Sequence, residues 1–293
     1  MVAQATSQVA APDYAQAAPA APLRGLIAAY QGYQHEGLPP GQHRGMPSPY
    51  LTLVITLHEP LVVARHPDPG TSPGEYLTLA GGLHTTPVLI SYDERMSGIQ
   101  LAISPLAARS LFGLPAGELA SLDVEATEVL GATAIELHER IRAADEWPAR
   151  FEVLDQLLLA SADPDAPVHP GVARAWQLIL ASGGTVRVGE LAAETGWSAR
   201  HLQALFQAET GLTPKAACRV TRFHRARRTI QRRVSAGALP DLADVAARCG
   251  YVDQAHLARE FRELAGCPPS QWLAEEFRII QGSGPGGEPD LRT

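Results

Sequence analysis

The stretch "ELAAETGWSARHLQALFQAETGLTP" (residues 190–214) returns as "DVAARCGYVDQAHLAREFRELAGCPP" (residues 244–269), with one residue inserted just after the turn. In that register Glu190, Leu191, Ala192, Ala193, Gly196 and Trp197 meet Asp244, Val245, Ala246, Ala247, Gly250 and Tyr251. His201, Leu202, Phe206, Gly211 and Pro214 then meet His256, Leu257, Phe261, Gly266 and Pro269. One supersecondary unit is used twice. Each copy reads as a helix with alanines on its packed face, a glycine turn, and a second helix anchored by a Leu and a Phe four residues apart. That is the grammar of a helix-turn-helix. Small alanines let crossing helices approach closely, and Gly196 and Gly250 sit where a helix ends in the left-handed conformation that a Cβ disfavours.

With Leu202 and Phe206 facing inward, Arg200, Gln203, Ala204 and Gln207 face outward; with Leu257 and Phe261 inward, Gln254, Ala255, Ala258, Arg259 and Arg262 face outward. Arg and Gln carry donor and acceptor pairs that match guanine and adenine edges in the major groove, and alanine admits a thymine methyl. A lone unit of this kind is commonly just two packed helices; its duplication about a basic spacer is what points to double-stranded DNA. The spacer "PKAACRVTRFHRARRTIQRR" (residues 214–233) carries Lys215, Arg219, Arg222, Arg225, Arg227, Arg228, Arg232 and Arg233 and no acidic residue. A helix of about 20 residues spans about 30 Å, close to the roughly 34 Å of one DNA turn, so it can set two reading helices in successive grooves. Its charge suits phosphates. Lys215, Arg225 and Arg227, with His201 and Arg262 from the reading helices, are the candidate backbone contacts. His201 and His256 find no partner at ligand spacing and read as packing or phosphate-contacting residues, not metal ligands.

The formal net charge of −7 over 293 residues hides a division. Residues 1–170 hold 8 Lys/Arg against 19 Asp/Glu, whereas residues 171–280 hold 15 against 10. An acidic first part joined to a basic second part implies that only the second meets a polyanion. Three cysteines, Cys218, Cys249 and Cys267, are too few for a disulfide framework or zinc-finger pattern and fit free thiols in a reducing cytoplasm. A repair chemistry built on an activated thiol fits them poorly, because all three fall at helix-packing positions. No stretch of about 18 apolar residues suggests a membrane span. Residues 1–22, rich in Ala, Pro and Gln, and residues 281–293 read as flexible tails.

"SADPDAPVHPG" (residues 161–171) marks a linker. It divides residues 23–160, a regulatory or dimerisation domain, from the DNA-binding domain at 172–280. In the first domain "PYLTLVITLHEPLVVAR", "GEYLTLAGGLHTTPVLISY" and "MSGIQLAIS" read as antiparallel strands. Helical periods follow at "PLAARSLFGL", "ATEVLGATAIELHERIRAA" and a segment opened by Pro148, so the class is α+β. Leu137, Ile141, Leu154 and Leu158 form apolar stripes that suit either a homodimer interface or the domain's own sheet. His43, Arg44 and Tyr50 crowd a turn entering an apolar strand, where Arg44 could anchor the carboxylate of a small-molecule effector; the plainer reading pairs Arg44 with one of the many nearby acids.

The two units and the "RFHRARR" helix between them resemble the AraC/XylS family of transcription regulators, the match covering about residues 172–278. The second unit, G-Y-x-D-Q-x-H-L-x-R-x-F followed by G-x-P-P, is the more specific. The resemblance implies an all-α C-terminal domain with two helix-turn-helix units joined by a long helix, contact with RNA polymerase, usually as an activator, and no enzymatic activity or cofactor. By position it makes Arg200, Gln203 and Ala204 base-facing in the first reading helix and Gln254, Ala255 and Arg259 in the second, while Arg222 and Ala226 match structural positions. It also implies a cupin-like small β-barrel or sheet with trailing helices before the linker. The alternative is a cupin-type metalloenzyme fused to a DNA-binding module. Such an enzyme needs a His-x-His pair at its metal, and no such pair occurs among His35, His43, His58, His66 and His84.

Overall fold

A computed structural model describes residues 13–37 and 39–282. The first half contains ten strands: β1 (Asp13–Ala17), β2 (Ile27–Glu36), β3 (Gly41–Gly45), β4 (Leu51–Thr56), β5 (Leu61–Arg65), β6 (Gly74–Tyr76), β7 (Thr78–Gly81), β8 (Val88–Tyr92), β9 (Arg95–Ile103) and β10 (Asp123–Glu125). They form two antiparallel sheets, β1-β2-β9-β4-β7-β10 and β3-β8-β5-β6. The two ladders stay separate, so the strands face one another as open sheets and not as one closed barrel.

The near-continuous apolar run of β4 shows why. Leu51, Leu53 and Ile55 pair with Ile103, Leu101 and Ile99 of β9 and pack into the large core beneath the helices. Val54 points the other way, into a second cluster with Leu61, Val63, Leu79 and Val88 between the sheets. A strand buried on both faces needs apolar residues on both, which removes the usual alternation.

A 3₁₀ turn at Pro105–Ala107 leads into α1 (Ala108–Phe112), closed by left-handed Gly113, and a second turn follows at Ala116–Leu119. Then come α2 (Thr127–Leu130), α3 (Ala132–Ala143) and α4 (Trp147–Ser161). Leu137, Ile141, Leu154 and Leu158 are buried in the same core as the large sheet's Leu53 and Leu101. These stripes pack on the chain's own sheet, so they are not a free dimer face.

Residues 13–17, expected within the N-terminal tail, form the edge strand β1 against β2. The Trp147 indole donates to Asp13 Oδ2 at 2.8 Å, and the Tyr14 hydroxyl bonds His35 Nε2. These side-chain ties outweigh the weak strand signal of the flanking Ala and Pro residues. The remainder of that expected tail through residue 12, and the tail beyond residue 282, lie outside the described residues.

Residues 162–169 carry no regular element, but Asp163 is tied to Ser110 by two hydrogen bonds. Beyond them all elements are helical: α5 (Pro170–Ala181), α6 (Val188–Thr195), α7 (Ala199–Thr210), α8 (Pro214–Ser235), α9 (Leu242–Arg248), α10 (Gln254–Ala265) and α11 (Pro269–Gly282). No described helix is long and apolar enough to cross a membrane. One apolar core runs from the large sheet through to Trp272 of α11, so the two halves share packing as well as chain.

Candidate nucleic-acid interface and interdomain cavity

The first unit is α6, a turn at Gly196 with φ +71°, and α7. The Ser198 hydroxyl accepts from the His201 amide at 3.2 Å and caps α7. Leu191, Leu202 and Phe206 are fully buried, with Trp176 of α5 against Phe206 at 5.7 Å between ring centroids. Trp197 in the turn meets His169 and His201 edge-on. Arg200, His201, Gln203, Ala204 and Gln207 are all exposed, as the sequence pattern requires.

The second unit repeats this construction. Asp241 caps α9, Gly250 turns with φ +79°, and Asp253 accepts from the His256 amide at 2.6 Å to open α10. Leu257 and Phe261 are buried, the latter between Phe223 of α8 and Trp272. Gln254, Ala255, Arg259 and Arg262 are exposed. His256 is half-buried, its ring edge-on to Tyr251, and Nδ1 accepts from the Val252 amide at 3.3 Å. That bond leaves Nε2 as the ring's donor, the tautomer suited to a phosphate oxygen.

The spacer helix α8 departs most from its sequence reading. Lys215 is exposed and Arg225 half-buried, but Arg227 is only 5% and Arg228 only 7% exposed. Arg219 binds Glu260 at 2.9 Å and also Glu263, while Arg233 pairs with Asp244. Hydrogen bonds from Arg248 and then Arg233 hold the Asp244 carboxyl below its ordinary range. The Arg222 guanidinium lies over the Tyr251 ring at 5.6 Å, consistent with a structural role. Three of the helix's eight basic residues, Arg219, Arg222 and Arg233, therefore tie the second unit to α8, and two more, Arg227 and Arg228, are buried. Arg227 in particular is corrected as a backbone contact, because it faces the first domain.

There it lines a cavity of about 210 Å³ shared by both halves of the chain. His43 and Arg44 of β3 and the apolar Val54, Val63 and Met96 line it from the sheets, and Arg227, Gln231 and Trp272 line it from α8 and α11. Arg44 pairs with Glu275 of α11 at 2.8 Å, so its partner is an acid, but one from the opposite domain. Tyr50 is not on the cavity wall; its ring meets His224 of α8 edge-on at 6.0 Å. Sequence reasoning missed Gln231 and Trp272, since nothing in a polar helix face says that another domain covers it. It also missed Arg109, whose Nε and Nη2 donate to the Glu209 carboxylate of α7 at 2.8 and 3.0 Å.

Among the described residues no group of three or more His, Cys, Asp or Glu is placed to hold a metal. His35 bonds Tyr14, His58 bonds Ser97, His66 bonds Asp123 and His84 bonds the Thr86 carbonyl. Burial, with a smaller contribution from nearby His43, pushes the His35 pKa down to about 4, so this ring is neutral at physiological pH. Cys218, Cys249 and Cys267 are buried, and burial pushes the Cys218 thiol up to about 11.

Residues 191–275 match the family described as a helix-turn-helix domain. Comparison with curated proteins finds no match. Among solved structures, a lysine-to-alanine variant of apo ToxT from Vibrio cholerae strain SCE256 superposes with a TM-score of 0.51 at 10% identity, over 84% of this chain and 97% of that one. A 1.65 Å structure of ToxT from Vibrio cholerae gives 0.49 at 11% identity, over 84% and 97%. Unsaturated fatty acid bound wild-type ToxT from strain SCE256 gives 0.49 at 10% identity, over 85% and 95%. The first of these likenesses establishes a common fold. The duplicated units thus lie where residues 191–275 match a helix-turn-helix domain.

Proposed function

We propose that the protein reads an asymmetric DNA site with two helices of unlike chemistry, under the control of a small-molecule effector held between its domains. Arg200, Gln203, Ala204 and Gln207 of α7 contact bases in one major groove; Gln254, Ala255 and Arg259 of α10 contact them in the next. His201, Lys215, Arg225 and Arg262 contact the phosphate backbone. RNA polymerase is the protein partner, the active form is a homodimer, and the place of action is the cytoplasm. Residues 23–160 form the sensing domain and 172–280 the reading domain, joined by the linker at 161–171.

The observation that carries this reading is the double allegiance of α8. One helix anchors both reading units and also walls the cavity with Arg227 and Gln231. Material entering the cavity therefore touches the helix on which both reading heads are mounted. On this reading the protein acts by binding and not as an enzyme, which the burial of all three thiols supports, since burial raises the Cys218 and Cys249 pKa.

The test is selection of bound sequences from random duplexes by the full-length protein, followed by salt titration of the selected site. A defined two-part motif with a steep salt dependence is expected. Equal, salt-insensitive binding to every duplex would sink the reading.

A further inference from the structure

Resting on the effector-sensing reading above, we propose that the cavity takes an uncharged organic molecule with an apolar body and a hydroxyl or amide end, not a carboxylate. Size comes first. A water needs roughly 10–15 Å³ of such space, so a cavity of about 210 Å³ holds a ligand of on the order of a dozen non-hydrogen atoms. Its body meets Val54, Val63 and Val88 between the sheets.

The cations on the wall are engaged elsewhere. Arg44 is paired with Glu275, and Asp123 accepts from His66 at 2.8 Å. Arg227 is buried and has a partner of its own, and its Nε is one more buried donor that a neutral oxygen can meet. A carboxylate would find no cation on the wall free of other partners, and an uncompensated buried charge is strongly disfavoured.

What the wall offers instead is neutral hydrogen bonding. Tyr14, Tyr33 and His35 lie together on β1 and β2, and burial keeps the His35 ring neutral. Gln31 and Gln231, one from each domain, line the cavity, and each keeps one buried amide atom without a protein partner: Nε2 of Gln31 and Oε1 of Gln231. One is a donor and the other an acceptor. A hydroxyl or primary amide serves both kinds, whereas a carboxylate can only accept.

A neighbouring cleft points the same way. Tyr33, Leu61, Ile90 and Met96 line it as well as the cavity, together with Glu59, Glu75, Asp93 and Glu94 against Arg95. A lining of that sign repels anions and leaves uncharged molecules unaffected.

Calorimetry on the full-length protein with 4-propylphenol and 4-propylbenzoate tests the assignment, since the two share one apolar body. The phenol is expected to bind at one site at least tenfold more tightly. Gln231→Leu should weaken the phenol at least fivefold, and Val63→Phe, which fills the cavity, should abolish its binding. Because Val63→Phe could misfold, the near-isosteric Gln231→Leu decides independently. Benzoate binding as tightly as the phenol overturns the ligand class while leaving a ligand cavity in place. Phenol binding unmoved by both variants also overturns it. Silence from both probes overturns the class and the effector reading together.

Discussion

Arg109→Ala removes the arginine that clamps the first domain to the end of the reading helix α7. Its two nitrogens meet both oxygens of Glu209, and the partners differ in their access to water: the Arg109 side chain is 35% exposed and that of Glu209 only 10%. Truncating the arginine strands a nearly buried carboxylate. Hydrogen bonds to charged groups contribute about 1.5–3 kcal/mol, and breaking a fully buried pair costs about 3–5. Partial exposure of the arginine brings the expected loss to about 2 kcal/mol. Removing the other partner is gentler. In Glu209→Leu the arginine turns to solvent, and position 209 aligns in the repeat with Leu264, which is 1% exposed in the second unit. That loss should stay below about 1 kcal/mol, and the double variant should recover most of the damage done by Arg109→Ala. Urea unfolding followed by tryptophan emission reads these differences, because Trp176 packs against Phe206 of α7. Equal losses in the two single variants, or a coupling energy under about 0.5 kcal/mol, would refute the argument from unequal burial.

Arg200→Ala or Gln203→Ala should relax sequence preference at one half of the selected site by about 1–3 kcal/mol, measured against single-base variants of that half. Lys215→Ala should lower the salt slope of binding by about 1, whereas Arg227→Ala, turned to the cavity, should leave the slope unchanged in a gel-shift titration. Gly250→Val places a branched side chain at φ +79° with Thr185 Cγ2 only 2.5 Å from its Cβ, so thermal melting should show clear destabilisation. His35 is neutral when folded but titrates near 6.5 when unfolded, so the unfolded chain binds more protons between about pH 4 and 6.5. Its stabilising contribution is complete above that window and falls as pH drops through it, by at most about 3 kcal/mol. The melting temperature of His35→Gln should fall less over that range than the wild type's; parallel curves would exclude His35 as the cause.

The second half was legible because its information is periodic. Leu202 with Phe206 and Leu257 with Phe261 recur at four residues, and burial at those positions follows from helix geometry alone. The strands of the first half were legible for a similar reason, although β4, apolar on both faces, conceals that two cores lie either side of it. The arginines of α8 were not legible. A row of polar residues says that each needs a polar neighbour, and water, phosphate and the carboxylates of Glu260 and Asp244 answer that need equally well. The cavity was invisible for the same reason: His224, Arg227 and Gln231 sit three and four residues apart on one face, and only the folded chain shows which body covers them. Arg44 carried half a signal, a cation awaiting an anion, but its acid lies 231 residues away.

The 22-residue α8 is a rigid rod of about 33 Å, and both reading heads are fastened to it along their inner sides. A rod cannot be lengthened by a push on its flank; it can only be tilted or rolled. On the function proposed above, a ligand pressing on the Gln231 face would therefore leave the distance between the two half-sites untouched and change the angle at which the heads meet the grooves. Such control would read out as a gain or loss of grip on one fixed spacing, not as a choice between spacings.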